Sequence, residues 1–227
     1  MPTALLFLGA TLLAMIWLGP LPRLAQHSFA AHMTMHMGVV AVAAPLIALA
    51  LTGSMAGRVL ETQRLAAPIA ASLVELVIVW GWHAPALHLA ARHHPWALVA
   101  EQGSFLLAGL ALWVTALGSD PHGGRARAGP GVAALLFTSM HMTLLGALFA
   151  LANRPLFQHA TDQPGALADQ HVGGAVMLII GGTSYLIGGL ALTFRLVRVD
   201  VPALTLRRVQ GHPGVRRGMS GRKRVEG

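Results

Sequence analysis

The stretch HMTMHMGVVAVAAPLIALAL, residues 32–51, decides how this chain is read. From Gly38 onward it holds no charged side chain and no side-chain hydrogen-bonding group. Together with the alanines before it, the run is near the ~20 residues that cross a bilayer as helix. Its first six residues are different: two histidines and three methionines stand at the mouth of the apolar run. A membrane helix opening on a cluster of nitrogen and thioether donors is the pattern from which the rest follows.

Five further apolar segments of similar length flank it, so that the six run 2–18, 30–51, 67–90, 96–117, 130–152 and 171–196. Pro and Gly punctuate the gaps, in GPLP, SDPHGG, AGPG and DQPG. Of the 227 residues, 55% are hydrophobic and only 11% charged, far from the roughly 25% charged residues of soluble domains. The expectation is an all-α polytopic membrane protein: a six-transmembrane-helix bundle over residues 1–197, followed by a basic cytoplasmic tail, 198–227, too polar and Gly-rich to pack. The first segment lacks the basic start and small-residue cleavage site of a signal peptide, and reads as a retained helix.

Charge sets the orientation. Arg58, Arg64, Arg125, Arg127 and the nine basic residues from Arg195 onward fall on one side of the bundle, against Arg23, Arg92 and Arg154 on the other. By the positive-inside rule both termini are cytoplasmic, and the poorer loops face the periplasm of a bacterial inner membrane. The net charge of +8 does not argue for nucleic acid, because it is concentrated in the tail, where it suits an anionic lipid surface. There is no cysteine, which excludes disulfides and thiolate metal sites.

Nine of the 12 histidines fall on the outer side of this topology. His32 and His36, four apart, share a helix face, with Met33 and Met37 as a second pair beside them. Imidazole and thioether without thiolate suit Cu(I) in an oxidising compartment; the bland alternative is helix filler and headgroup-facing histidines. In WGWHAPALHLAARHHPW, 80–96, His83 sits two residues before Pro85, whose kink aims it inward. His88 is about 140° away on an ideal helix, and reads with His93 and His94 as a solvated histidine unless the kink turns it. Glu101 lies near the depth of His36 and His83 and is a candidate ligand. His171 follows Asp169, itself either a helix N-cap or an orienting partner of a ligand histidine. Glu75 and His141 lie deeper. Glu75 is either a protonated structural group or the holder of His141; His141 bonds a neighbouring helix, offers a second stop for metal, or ligates heme. Gly174, Gly181 and Gly188 form a stripe for helix packing. No nucleophile-and-base pair and no phosphate-binding loop stands out, so no enzymatic role is expected.

Taken together, HMTMHM at 32–37, WHAP at 82–85 and DQHVGG at 169–174 resemble the CtaG family of cytochrome c oxidase (caa3-type) assembly factors, in order, spacing and placement at helix ends, over roughly residues 20–197. The resemblance implies a part in producing active oxidase at its copper centres, and points to His32, His36, His83 and Asp169. At one position the chain departs: where the family tends to carry Glu-His it has Glu101-Gln102, which leaves a weaker site, a ligand drawn from His94 or His171, or a divergent function. It also has six predicted helices where members often show seven. The expected ligands are therefore His32, His36 and His83, assisted by Met33, Met37, Glu101 and His171, with Asp169, Glu75 and His141 behind them. The expected cargo is copper, and the expected partners are respiratory oxidase subunits or a copper chaperone. Two other readings stay open: a heme b electron-transfer protein using His36 and His83, and a metal or proton transporter using Glu75 and His141.

Overall fold

A computed structural model describes residues 2–52, 66–118, 124–157 and 164–197, the side chains of 124–127 excepted. The described residues are almost wholly helical and contain no strand. In chain order the helices are α1 (Pro2–Leu18), α2 (Leu21–Ala25), α3 (Phe29–Leu51), α4 (Ala67–Trp82), α5 (Pro85–His93), α6 (Pro95–Leu117), α7 (Gly124–Ala150) and α8 (Ala166–Val197). Among the described residues, four stretches are long and apolar enough to cross a membrane: α3, α6, Ala128–Ala150 of α7, and α8. A fifth exists if α4 and α5 count as one broken span. The expected sixth, α1, has 17 residues, or about 25 Å of helix against a hydrocarbon core of about 30 Å. The outward faces are apolar: Leu136, Met140, Leu144 and Leu148 of α7 and Leu186, Ile187, Leu190 and Phe194 of α8 are all exposed, as lipid-facing helices require. The basic tail, 198–227, and the loops holding Arg58, Arg64, His122 and His159 lie outside the described residues.

Segment 67–90, expected as one helix, is two. Pro85 pushes the residue before it out of the α region, and Ala84 is extended, with φ −64° and ψ 138°. α4 therefore stops at Trp82, and α5 restarts on Pro85 at 73° to it. The same happens at His94-Pro95: His94 is extended and α6 begins on the proline.

α3 is the most enclosed of the long helices. Pro45 has no N–H to give the carbonyl four residues back, that of Ala41. The helix widens into a π-turn over Gly38–Ala43, and the Ser184 hydroxyl of α8 donates to the Ala41 carbonyl instead, at 2.6 Å. The Trp113 indole of α6 donates to the neighbouring Val40 carbonyl at 3.1 Å. α3 is thus tied at its middle to two other helices, which meets the rule that backbone polar groups inside a bilayer find protein partners. A second π-turn, Met177–Gly181, lies in α8. The glycine stripe of α8 does pack: Gly174 lies on α7, Gly181 beside Met37, and Gly188 against the Trp113 ring.

A Cβ at Gly174 would lie 2.5 Å from the Ala150 nitrogen and 2.7 Å from the Gly146 carbonyl oxygen, both backbone atoms that cannot rotate away. Gly182 has open space at the equivalent point. Gly174→Ala is expected to destabilise the bundle by roughly 1–3 kcal/mol, while Gly182→Ala is neutral or slightly stabilising. Thermal unfolding of the purified protein in detergent checks this; equal melting temperatures for the two variants would contradict the packing described.

Candidate metal centre

The site is assembled where α3, α5, α6 and the α4–α5 bend meet. One turn apart on α3, His32 and His36 are both almost fully buried, with ring centroids 4.2 Å apart. α6 brings Glu101, fully buried. Its two oxygens divide between the imidazoles: Oε1 is 3.2 Å from His32 Nε2 and Oε2 is 3.2 Å from His36 Nε2. The first contact is a hydrogen bond; the second is close in distance but out of line, and neither ring nitrogen of His36 has a hydrogen-bond partner among the described residues. One potential ligand atom from each of His32, His36 and Glu101 falls within 4.8 Å of the others. Gln102, which stands where a histidine was expected, donates to Glu101 Oε2 at 3.4 Å and accepts from the Trp17 indole of α1 at 3.4 Å. It buttresses the carboxylate instead of replacing a ligand.

His83 caps α4, and its ring centroid is 5.6 Å from that of His36. Its Nδ1 lies 2.6 Å from the Val79 carbonyl oxygen. A carbonyl only accepts, so Nδ1 carries the hydrogen, and the lone pair of the neutral ring is on Nε2. Nε2 is buried with no hydrogen-bond partner among the described residues. A backbone carbonyl fixing one nitrogen while the other is left bare is how metal-ligating histidines are held.

The bend also turns His88 inward, against the expectation of a solvated side chain. It is fully buried, with its ring 4.9 Å from that of His32 and stacked on Phe157 at 4.0 Å. Ideal-helix angles carried across Pro85 hide this; the signal for it was the proline itself. His94 is exposed, stacked with Trp96.

DQHVGG proves to be a clasp. Gly165, with φ 86°, caps α8, so Asp169 is not the cap of its own helix. Its carboxylate instead accepts from the Ser28 hydroxyl at 2.8 Å and from the backbone N–H groups of Phe29 and Ala30 at 2.5 and 3.4 Å. Asp169 thus satisfies the N-terminus of α3, the helix that carries His32 and His36, and places a negative charge at the positive end of its dipole. Gln170 accepts from Leu156 N–H and donates to the Phe149 carbonyl. His171, expected as a ligand, donates through Nε2 to the Ala152 carbonyl at 2.9 Å, and stands outside the His/Glu cluster.

The other expected residues separate. Met37 lines a small space with His36, His83, Phe105 and Met142, so its thioether is beside the cluster. Met33 is packed toward Gly173 on α8. Glu75 does not hold His141: it accepts from the Tyr185 hydroxyl at 3.1 Å and the Thr138 hydroxyl at 3.3 Å. His141 makes no hydrogen bond among the described residues and lines a separate apolar groove with Trp80 and Phe137.

The family model described as cytochrome c oxidase caa3 assembly factor (Caa3_CtaG) matches residues 1–199. Comparison with curated proteins and with solved structures gave no match.

Asp169→Ala removes a charged acceptor from three donors. It is expected to cost about 1–3 kcal/mol and to loosen the first turn of α3. The check is thermal unfolding together with the affinity of the purified protein for Cu(I). Wild-type values of both would mean that the clasp does not hold the site.

Proposed function

The chain belongs to the family of cytochrome c oxidase caa3 assembly factors, and from that premise we propose that it acts by binding Cu(I) and passing it on for oxidase assembly. The observation that carries this reading is Glu101, a fully buried carboxylate with an imidazole against each oxygen and the lone pair of His83 close behind. Charge balance favours a monovalent ion. Neutral imidazoles and one carboxylate sum to −1, which Cu(I) cancels; a divalent ion would leave an uncompensated positive charge in an apolar interior. The nitrogen, oxygen and thioether donors hold Cu(I) without thiolate, and release it to an acceptor with stronger ligands. His32, His36, His83 and Glu101 are the ligands in this reading, with the Met37 thioether in reserve and Asp169 holding α3 in position.

The heme alternative finds less support. The space shared by His36 and His83 has no room even for a water molecule and is bordered by the Phe105 ring, too small for a porphyrin between the two imidazoles. The transporter alternative loses its path, since Glu75 and His141 do not meet.

In the membrane, this reading places α1 as the sixth span, both termini in the cytoplasm and the His/Glu site toward the periplasm of a bacterial inner membrane. The acceptor is an oxidase subunit, and the donor is a copper chaperone or free ion. Elemental analysis of purified protein equilibrated with Cu(I) is expected to find about one copper per chain, and none in the His32→Ala/His36→Ala/His83→Ala variant. Equal copper in both, or an α-band of bound heme on reduction, would overturn the proposal.

A further inference from the structure

A site buried this deeply needs an entry path. His32, His36 and Glu101 are each at most 1% exposed, so an ion cannot reach them directly. Among the described residues, two cavities of more than 300 Å³ approach the cluster. One, of about 350 Å³, lies between α1 and α6 and is lined by Trp17, Pro22, Met35, Leu98 and Val99, with Gln102 and Gly103. Its wall is almost entirely apolar, and a cation would have to shed its hydration with nothing in return.

The other cavity, of about 370 Å³, lies at the outer end of α3. Its lining includes two exposed imidazoles, His27 and His93, and the Asp169 carboxylate. The Arg92 guanidinium there is turned to the Gln26 carbonyl at 2.6 Å. On its inner side the cavity ends at Phe29 and Phe157. These rings stack at 5.4 Å, and both meet His88, at 5.7 and 4.0 Å. His88 is therefore the imidazole set in the aromatic layer between the cavity and the cluster.

From His88 the rings form a row. Centroids are 4.9 Å apart from His88 to His32, 4.2 Å from His32 to His36, and 5.6 Å from His36 to His83. Metal–imidazole bonds of about 2 Å, added to the ring radii, let two rings share one ion at centroid separations up to roughly 6 Å. Every step in the row is within that reach.

Resting on the copper reading above, we propose that His88 is an entry ligand: Cu(I) reaching the outer cavity is taken by His88, shared with His32, and released inward as His36, Glu101 and His83 close around it. At each step one metal–nitrogen bond forms as another breaks, so the ion is never uncoordinated in the apolar layer and no redox change occurs. His88 serves arrival, not final affinity.

The test follows transfer of Cu(I) from a weak coloured chelator to full-length protein in detergent, reading rate and end point separately. His88→Ala is expected to bind the same amount at equilibrium but to load at least tenfold more slowly. Phe157→Ala, which thins the aromatic layer, is expected to load several-fold faster. An unchanged loading rate in His88→Ala would overturn the proposal, as would loss of bound copper at equilibrium, which would make His88 part of the final site. If His88→Ala does not fold, Phe157→Ala decides alone, and an unchanged rate there overturns the relay. A wild type that takes no Cu(I) at all removes the copper reading and the relay with it, an outcome distinct from loading that ignores both substitutions.

Discussion

An ionised carboxylate cannot stand alone in the interior of an apolar bundle, and Glu101 stands in that interior with no exposure at all. Its cost must be met by groups that are themselves buried. His32 and His36 meet it from α3, and Gln102 backs it, in turn fixed by Trp17 of α1. In the copper reading proposed above, the same constraint that makes the cluster expensive as structure suits it to a soft monovalent ion.

The geometry of the cluster requires α3 to be held still, and three separate devices do so. Asp169 takes the N-terminal N–H groups of the helix from across the bundle. Ser184 and Trp113 take the carbonyls that Pro45 and the π-turn leave over. Gly173 admits the Phe29 ring and Met33 close to α8. The polar residues of α8 thus serve mainly as backbone anchors for other segments, and the histidines of α3 gain fixed positions from contacts that involve no metal.

Much of this was legible in the sequence, for definite reasons. Long apolar runs give the long helices, because a bilayer leaves helix as the main way to satisfy the backbone. The His32/His36 pair follows from i, i+4 spacing, and Glu101 from its depth. What was not legible is direction. Hydropathy carries no information on a 73° bend, so 67–90 read as one span, and His88 was assigned to solvent by angles that hold only along an unbroken helix. Sequence adjacency made His171 resemble a ligand and Asp169 a local cap, yet both serve backbone groups more than ten residues away. Met33 and Met37 look equivalent on paper; only Met37 borders the space shared by His36 and His83.

The central claim is that imidazoles from α3 and from the α4–α5 bend hold one ion together with a buried carboxylate. X-ray absorption at the copper K-edge of the Cu(I)-loaded protein tests it most directly. The account predicts an edge typical of Cu(I) and three or four nitrogen or oxygen neighbours at about 2 Å, with an outer-shell scattering of imidazole rings that is reduced in His36→Ala/His83→Ala. A first shell made only of sulfur, or imidazole scattering unchanged by those substitutions, would contradict it.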